Sequence, residues 1–424
     1  FKQKTAYEIR LSLVGSEMCI RDRTQPAEHS TALIELSGPI DDYSARSVIR
    51  RIDAAKSRGA KNIILSIDTW GGQVPSALEI SQYLKRQTDL HIVAFVTDKA
   101  ISAGAMIALA CDELVMQPGS RIGDCAPIVM RSDGSLEALP PAERAKFESP
   151  VLADFRESAR QNGYDPLMAE AMVSVGRIVY YIQNETGERR FVNKEDFDSL
   201  SSQGWQTVEG VPVPLDRDTE LLTIDAEIAK RIGLSKDSFV SPEALASDRG
   251  WTITSRSLHG FGEKLVAMLS SPIARSVLFT VFMWSLYLAI SVPGHGAPEA
   301  FALTSFGLLL GIPLLTGYAQ WWEIVLIFGG LALIAFEIFV FPGHLISLVI
   351  GLVMMIGGFL LTFVPKEPSG IPGILPQLSG SYDALGRGLI TITGGIVASI
   401  FLWFWLSKYL PQLPYFNRLV LATD

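Results

Sequence analysis

Residues 97–127 read TDKAISAGAMIALACDELVMQPGSRIGDCAP, and they follow the apolar run HIVAFV at 91–96. The β-branched and aromatic content of that run predicts a strand. The small residues after Ser102 (Ala103, Gly104 and Ala105) predict a helix that opens at once. Ser102 is thereby expected at a strand-to-helix turn, beside side chains too small to shield it. The first N–H groups of a helix have no intrahelical acceptor and lie at the positive end of its dipole. Such a place suits an attacking oxygen that later forms part of an oxyanion. The same four residues also fit an N-capping serine followed by close helix packing.

A second stretch, NIILSIDTWGGQV at 62–74, is an apolar strand running into Gly71-Gly72. Adjacent glycines leave backbone N–H groups uncovered, and donors of that kind build oxyanion holes. By itself the pair also reads as a plain turn into the helix VPSALEISQYL. Around these two stretches strands are predicted at 31–40, 62–67, 91–96 and 113–117. Helices are predicted after Asp41 or Asp42 up to Gly59, and at 74–85 and 102–110. Alternating strands and helices imply an α/β domain with crossover connections.

Three motifs carry a resemblance: D-T-W-G-G at 68–72, I-S-A-G-A at 101–105 and P-G-S-R-I-G at 118–123. Residues 31–240 resemble the ClpP-class serine proteases, with their ClpP/crotonase-like superhelical fold, and in particular the membrane-bound NfeD (stomatin operon partner) proteases. W-W-E-I at 321–324 and E-I-F-V-F-P-G-H at 337–344 extend the likeness into the apolar half. The resemblance implies an integral-membrane serine endopeptidase. Its implied substrate or partner is an apolar segment of a stomatin-like (SPFH, band 7) protein, and its implied state is a homo-oligomer.

A serine hydroxyl is a weak nucleophile until a base takes its proton. The five histidines are His29, His91, His259, His295 and His344, and none follows Ser102 within the soluble half. A lysine is then the candidate base. It must stay neutral, and burial that lowers its pKa by about three units corresponds to roughly 4 kcal/mol. Downstream candidates are Lys146, Lys194, Lys230 and Lys236; Lys99 is expected to point to solvent. Lys146 is expected to open a helix at 146–163, after the linker MRSDGSLEALPPAERA (130–145), with Phe147, Val151, Leu152 and Phe155 as its apolar face. The resemblance selects Lys146, which matches the position of the catalytic lysine in the NfeD proteases. The expected site is a Ser102–Lys146 dyad with Gly72 and Ala103 as oxyanion-hole donors and Gly71 as a weaker contributor. No cofactor and no metal are expected.

Further along, RIVYYIQNETGERRFVN (177–193) reads as a hairpin. Residues 194–218 read as irregular and exposed, and 219–235 as a closing helix. Most charge lies before Arg275, so a soluble acidic module precedes an apolar one. A net charge of -8, with no basic cluster, argues against nucleic acid. Phe1 to Arg23 fit neither a signal peptide nor the pattern that follows, and read as an artefactual or disordered segment holding Cys19. Cys111 and Cys125 read as reduced core residues.

Residues 251–275 suggest a juxtamembrane amphipathic helix. Five apolar stretches follow at 276–292, 301–319, 322–341, 344–364 and 389–408, and because the first is the shortest, four spans is the alternative to five. Each approaches the roughly 20 residues that span a bilayer. Trp321, Trp322, Trp403 and Trp405 suit interfacial belts. Glu323 and Glu337 are expected to snorkel from span ends. Lys408 and Arg418 favour a cytoplasmic C-terminus, which with five spans puts the protease domain outside a bacterial-type plasma membrane. The resemblance also implies an OB-like domain beyond the last span, and residues 409–424 do not contain it. Competing readings are a catalytically silent scaffold of SPFH proteins, a signal-peptide-peptidase-like enzyme and a crotonase-fold acyl-CoA enzyme.

Overall fold

The computed structural model describes residues 30–409 except 127–128, 131–135, 138–140, 258–260, 292–295, 344 and 365–378. The expectations for residues 1–23, His29, His259, His295, His344 and the tail after 409 lie outside the described residues. In chain order the soluble half begins β1 (Ser30–Ser37), α1 (Asp42–Ser57), β2 (Asn62–Thr69), α2 (Val74–Lys85), β3 (His91–Ile101), α3 (Ala103–Leu109), β4 (Glu113–Met116) and β5 (Arg121–Gly123). Then come β6 (Val129–Met130), β7 (Leu136–Glu137), α4 (Pro141–Asn162), α5 (Pro166–Ala171), β8 (Tyr180–Gln183), β9 (Arg189–Val192), α6 (Lys194–Ser201) and β10 (Gln206–Thr207). It closes with β11 (Thr223–Asp225), α7 (Ala226–Arg231), β12 (Asp237–Ser238), α8 (Pro242–Asp248) and β13 (Thr252–Ser257).

The main sheet runs β11-β5-β3-β2-β1-β13, with β4 on the first half of β3 and β12 beyond it. β1, β2, β3 and β4 are parallel and in register, Leu33 beside Ile64 and Ile64 beside Val93. Parallel strands need crossover helices, so both faces of the sheet become covered and both carry apolar side chains. One face buries Ile34, Leu65 and Ala94 under α1, α2 and α3. The other buries Leu33, Ile64, Val93 and Phe95 under Leu245, Phe239 and Trp251. The repeated strand-helix architecture is the α/β class expected from the sequence, and α1 is capped by Asp41 through a capping box with Ser44.

Several elements differ from expectation. β3 runs five residues past Val96, because its second half finds β5 as a new partner at Lys99–Ile101. α4 begins at Pro141, not at Lys146, since proline is tolerated in a first turn. The expected closing helix is split: Thr223–Asp225 pairs antiparallel with β5, and the helix starts only after Asp225 caps it. The stretch 194–218 contains α6 and β10 and buries Val208, Val211 and Leu215. The soluble sheet reaches past residue 240, because Thr252–Ser257 adds as a parallel edge strand to β1 and takes the first part of the expected juxtamembrane helix.

The helical half holds α9 (Phe261–Ser270), α10 (Pro272–Ser291), α11 (Ala297–Leu315), α12 (Trp321–Phe339), α13 (Ile346–Leu361) and α14 (Ser379–Tyr409). Four of these, α10, α11, α12 and α14, are long and apolar enough to cross a membrane. α13 is the short one, with 16 residues; it packs on α12 with Gly330 against the carbonyl of Gly351 and the reverse. Leu303, Ile338 and Phe401 face outward, as lipid contact requires. Glu323 and Glu337 are buried. Glu323 accepts the Gln320 N–H at 3.1 Å, and Glu337 accepts the N–H groups of Gly343 and Leu345 and the Ser347 hydroxyl. Both carboxylates therefore cap helix ends instead of snorkelling, because the turn donors have no water to bond at that depth.

Candidate active site

The site is assembled where β2 and β3 end. Ser102 has φ 55 and ψ −119, one of three described non-glycine residues at positive φ. A Cβ in that region costs on the order of 1–3 kcal/mol, and surrounding bonds must hold it. They do so on both sides. The Ser102 N–H donates to the Gly123 carbonyl at 3.0 Å, and its own carbonyl accepts from Ala105 and Met106 and from the Cys125 thiol at 3.4 Å. Such a strained strand-to-helix elbow turns the hydroxyl outward from the sheet end. Ser102 is half-buried.

Gly71 and Gly104 are glycines because there is no room for anything else. A Cβ on Gly71, at φ 109, would lie 2.6 Å from the Ser102 Cβ and 3.0 Å from its Oγ. A Cβ on Gly104 would lie 2.6 Å from Thr69 Cγ2. Thr69 was not singled out by sequence reasoning, yet it shapes the turn. Its buried hydroxyl donates to the Gly38 carbonyl at 2.6 Å and accepts the Gly71 N–H at 2.9 Å. That second bond consumes the Gly71 donor, so Gly71 is not an oxyanion donor here. A threonine ending a buried strand just before Gly-Gly was the available signal.

Gly72 is different. The Ile40 N–H donates to the carbonyl of Gly71 at 3.0 Å and the Gln73 N–H to the carbonyl of Ile40 at 2.7 Å, making Ile40 and Gly72 a parallel bridge. In such a bridge the middle residue points its own N–H away from its partner strand. The Gly72 N–H therefore faces the side where β3 and Ser102 lie, and Gly72 is exposed. Neither it nor the N–H of Ala103, first residue of α3, donates to another group among the described residues. Ser102, Gly72 and Ala103 are thus brought to one turn cluster.

Lys146 is not buried beside them. It lies in the second turn of α4 and is exposed. The helix buries Glu148, Val151, Phe155, Ser158 and Ala159, and residue 146 falls off that stripe, in line with Ser149, Ala153 and Glu157 on the solvent side. Lys194, Lys230 and Lys236 are also exposed. Lys99 does not point freely to solvent: its Nζ sits 2.8 Å from Asp68 and 2.6 Å from Asp98, 5.1 Å over the Trp70 ring. The Asp68 hydrogen bond, more than any other cause, raises its pKa, the wrong direction for a base. Lys85 is buried but paired with Asp154 at 2.8 Å. His91 stands at the opposite end of the 11-residue β3, about 35 Å from Ser102. Cys111 and Cys125 are both buried free thiols, and burial pushes the thiol pKa of each upward. No cluster of metal-binding side chains occurs among the described residues.

Two family profiles match this chain. The one described as NfeD1b, N-terminal domain covers residues 33–196, and the NfeD integral membrane domain covers 273–408. The chain belongs to the NfeD family. Among NfeD-family relatives, membrane protein NfeD1b of Bacillus subtilis (strain 168) is 26% identical over 414 residues, 97% of this chain and 80% of that protein. Membrane-bound protease PH1510 of Pyrococcus horikoshii is 25% identical over 399 residues, 88% of this chain and 77% of that protein. Among solved structures, a lysine-to-alanine mutant of the 1510-N membrane-bound stomatin-specific protease, in complex with a substrate peptide, aligns with a TM-score of 0.41 and 21% identity. It covers 57% of this chain and 98% of that one. ClpP1 from Listeria monocytogenes aligns with a TM-score of 0.31 and 17% identity over 51% of this chain and 94% of that one. In this NfeD-family chain the integral membrane domain corresponds to α10 to α14, so the protein is a membrane protein with the Ser102 cluster in its N-terminal domain.

Proposed function

We propose that this protein is an integral-membrane serine endopeptidase that uses Ser102 as nucleophile, Lys146 as base, and the N–H groups of Gly72 and Ala103 as oxyanion hole. The observation that carries the reading is the strained elbow of Ser102 beside two backbone donors with no other acceptor. Strain of this kind is maintained where an exposed hydroxyl is needed. Neutral Lys146 takes the Oγ proton as Oγ bonds to the peptide carbonyl carbon. The carbonyl oxygen becomes the oxyanion, held by the two donors. Collapse breaks the C–N bond, and the ammonium of Lys146 returns its proton to the leaving amine. Water, deprotonated by the same amine, then adds to the acyl ester and frees Ser102.

In the single chain Lys146 faces solvent, so this mechanism requires the start of α4 to turn inward on substrate binding or on homo-oligomer assembly. One of the similar solved structures is a stomatin-specific membrane-bound protease, and in keeping with it we take an apolar segment of a stomatin-like membrane protein as the substrate. We place the protease domain on the extracytoplasmic side. The exposure of Lys146 is also what a catalytically silent scaffold would show, and that is the second reading. A fluorophosphonate probe decides between them. The protease labels at Ser102 and loses the label in Ser102→Ala, and Lys146→Ala labels at least a hundredfold more slowly. A wild-type chain in bilayer nanodiscs that takes no label at Ser102 makes the scaffold reading the right one.

A further inference from the structure

The C-terminal end of α11 leaves backbone carbonyls without intrahelical donors, as every helix does. Two of these are met from the soluble domain. Arg46 Nη2 donates to the Leu315 carbonyl at 3.1 Å, and Gln73 Nε2 donates to the Thr316 carbonyl at 3.3 Å. A cation also suits the negative end of the α11 dipole. Gly317, at φ 78, then passes so close to the soluble domain that a Cβ on it would lie 2.3 Å from Asp42 Oδ2. Asp42 is tied in turn to α2, accepting from the Ser76 hydroxyl at 2.8 Å. Gln73 is the residue after Gly72, and it stands at the N-cap of α2 without capping that helix. Its amide is spent on the membrane helix instead. The β6 strand, on the segment that leads to Lys146, lies against α14.

We infer that the connection between α11 and α12 is a strut that positions the oxyanion turn, so that the membrane module sets the geometry of the Gly72 donor. Gln73 is its positioning residue, and the inference rests on the Ser102 reading above. The physical reason is that Gly72 has no side chain to anchor it. The backbone around it is held on one side by Ile40, which also accepts the Gln73 N–H, and the Gln73 side chain adds a tie on the membrane side. Releasing the Gln73 amide frees the turn on its open side, and a misplacement of about 1 Å is enough to weaken an oxyanion contact severely.

The test uses the full chain in bilayer nanodiscs and reads the rate constant of fluorophosphonate labelling at Ser102. Gln73→Ala and Gly317→Val are each expected to slow labelling roughly tenfold to a hundredfold, with thermal unfolding of the soluble domain unchanged for Gln73→Ala. The double variant is expected to be no slower than the slower single one, because both cut the same strut. Gln73→Lys, which keeps a donor for the Thr316 carbonyl, is expected to restore most of the rate. Wild-type labelling with unchanged rates in Gln73→Ala and Gly317→Val overturns the strut while leaving the protease reading intact. Absence of labelling in the wild type overturns both. Slowing that Gln73→Lys does not relieve also overturns it, since a general loss of packing would then explain the effect.

Discussion

Replacing Ser102 by glycine is expected to stabilise the protein while abolishing its chemistry. At φ 55 and ψ −119 a Cβ costs about 1–3 kcal/mol, which serine and alanine both carry and glycine does not. Glycine also makes the unfolded chain freer, at a cost of about 0.5–1 kcal/mol. The difference leaves Ser102→Gly more stable than Ser102→Ala by about 1 kcal/mol, or about 2–4 °C in midpoint for a domain of this size. Cys125 reports on the site itself, being buried with its thiol 3.4 Å from the Ser102 carbonyl. In a background with Cys19 and Cys111 replaced, thiol-dye reactivity against temperature gives the midpoint of opening at the elbow. Both variants lose fluorophosphonate labelling. A glycine variant that opens at or below the temperature of the alanine variant refutes the strain argument, and with it the main ground for reading Ser102 as a nucleophile.

Two further outcomes follow from the geometry. Gly72→Ala puts a Cβ 2.1 Å from the Ile40 carbonyl oxygen, which is backbone and cannot step aside. The turn must shift, and acylation per folded molecule is expected to fall by about 10²–10³ as one oxyanion donor is lost; a labelling rate within threefold of wild type excludes Gly72 from the hole. Asp216 is buried, with one carboxylate oxygen lacking a partner among the described residues, and burial pushes its pKa from 3.8 up to about 7. The unfolded chain ionises this group from about pH 4 and the folded chain only near 7, so stability attributable to it is full at low pH and is lost as pH rises between the two. Asp216→Asn is accordingly expected to raise the unfolding free energy at pH 8 by on the order of 2–4 kcal/mol, and to change it little at pH 4. Equal effects at both values contradict the assignment.

Periodicity made the strands, the crossover helices and the apolar spans legible from sequence, because those depend on which residues must leave water and at what spacing. That Ser102, Gly72 and Ala103 fall at strand ends was legible for a related reason, whereas their meeting in one turn cluster was not, because small residues there equally fit an N-cap or a plain turn. The extension of β3 to Ile101, the strand at Thr223–Asp225 and the edge strand Thr252–Ser257 were not. Each is short and becomes a strand only because a partner edge is waiting far along the chain. The buried roles of Glu323 and Glu337 were hidden likewise, since capping depends on where the turn donors end up.

Composition and spacing alone determined a membrane protein with an α/β domain ahead of its spans and a serine at a strand end, since hydropathy and chain stiffness are local properties. Tertiary structure alone decided the left-handed backbone of Ser102, the loss of the Gly71 donor to Thr69, the outward face of Lys146 and the grip of Gln73 on the end of a membrane helix. Each of these depends on groups brought together across tens or hundreds of residues, where hydrogen-bond partners and free space are properties of the packed chain and of no single segment.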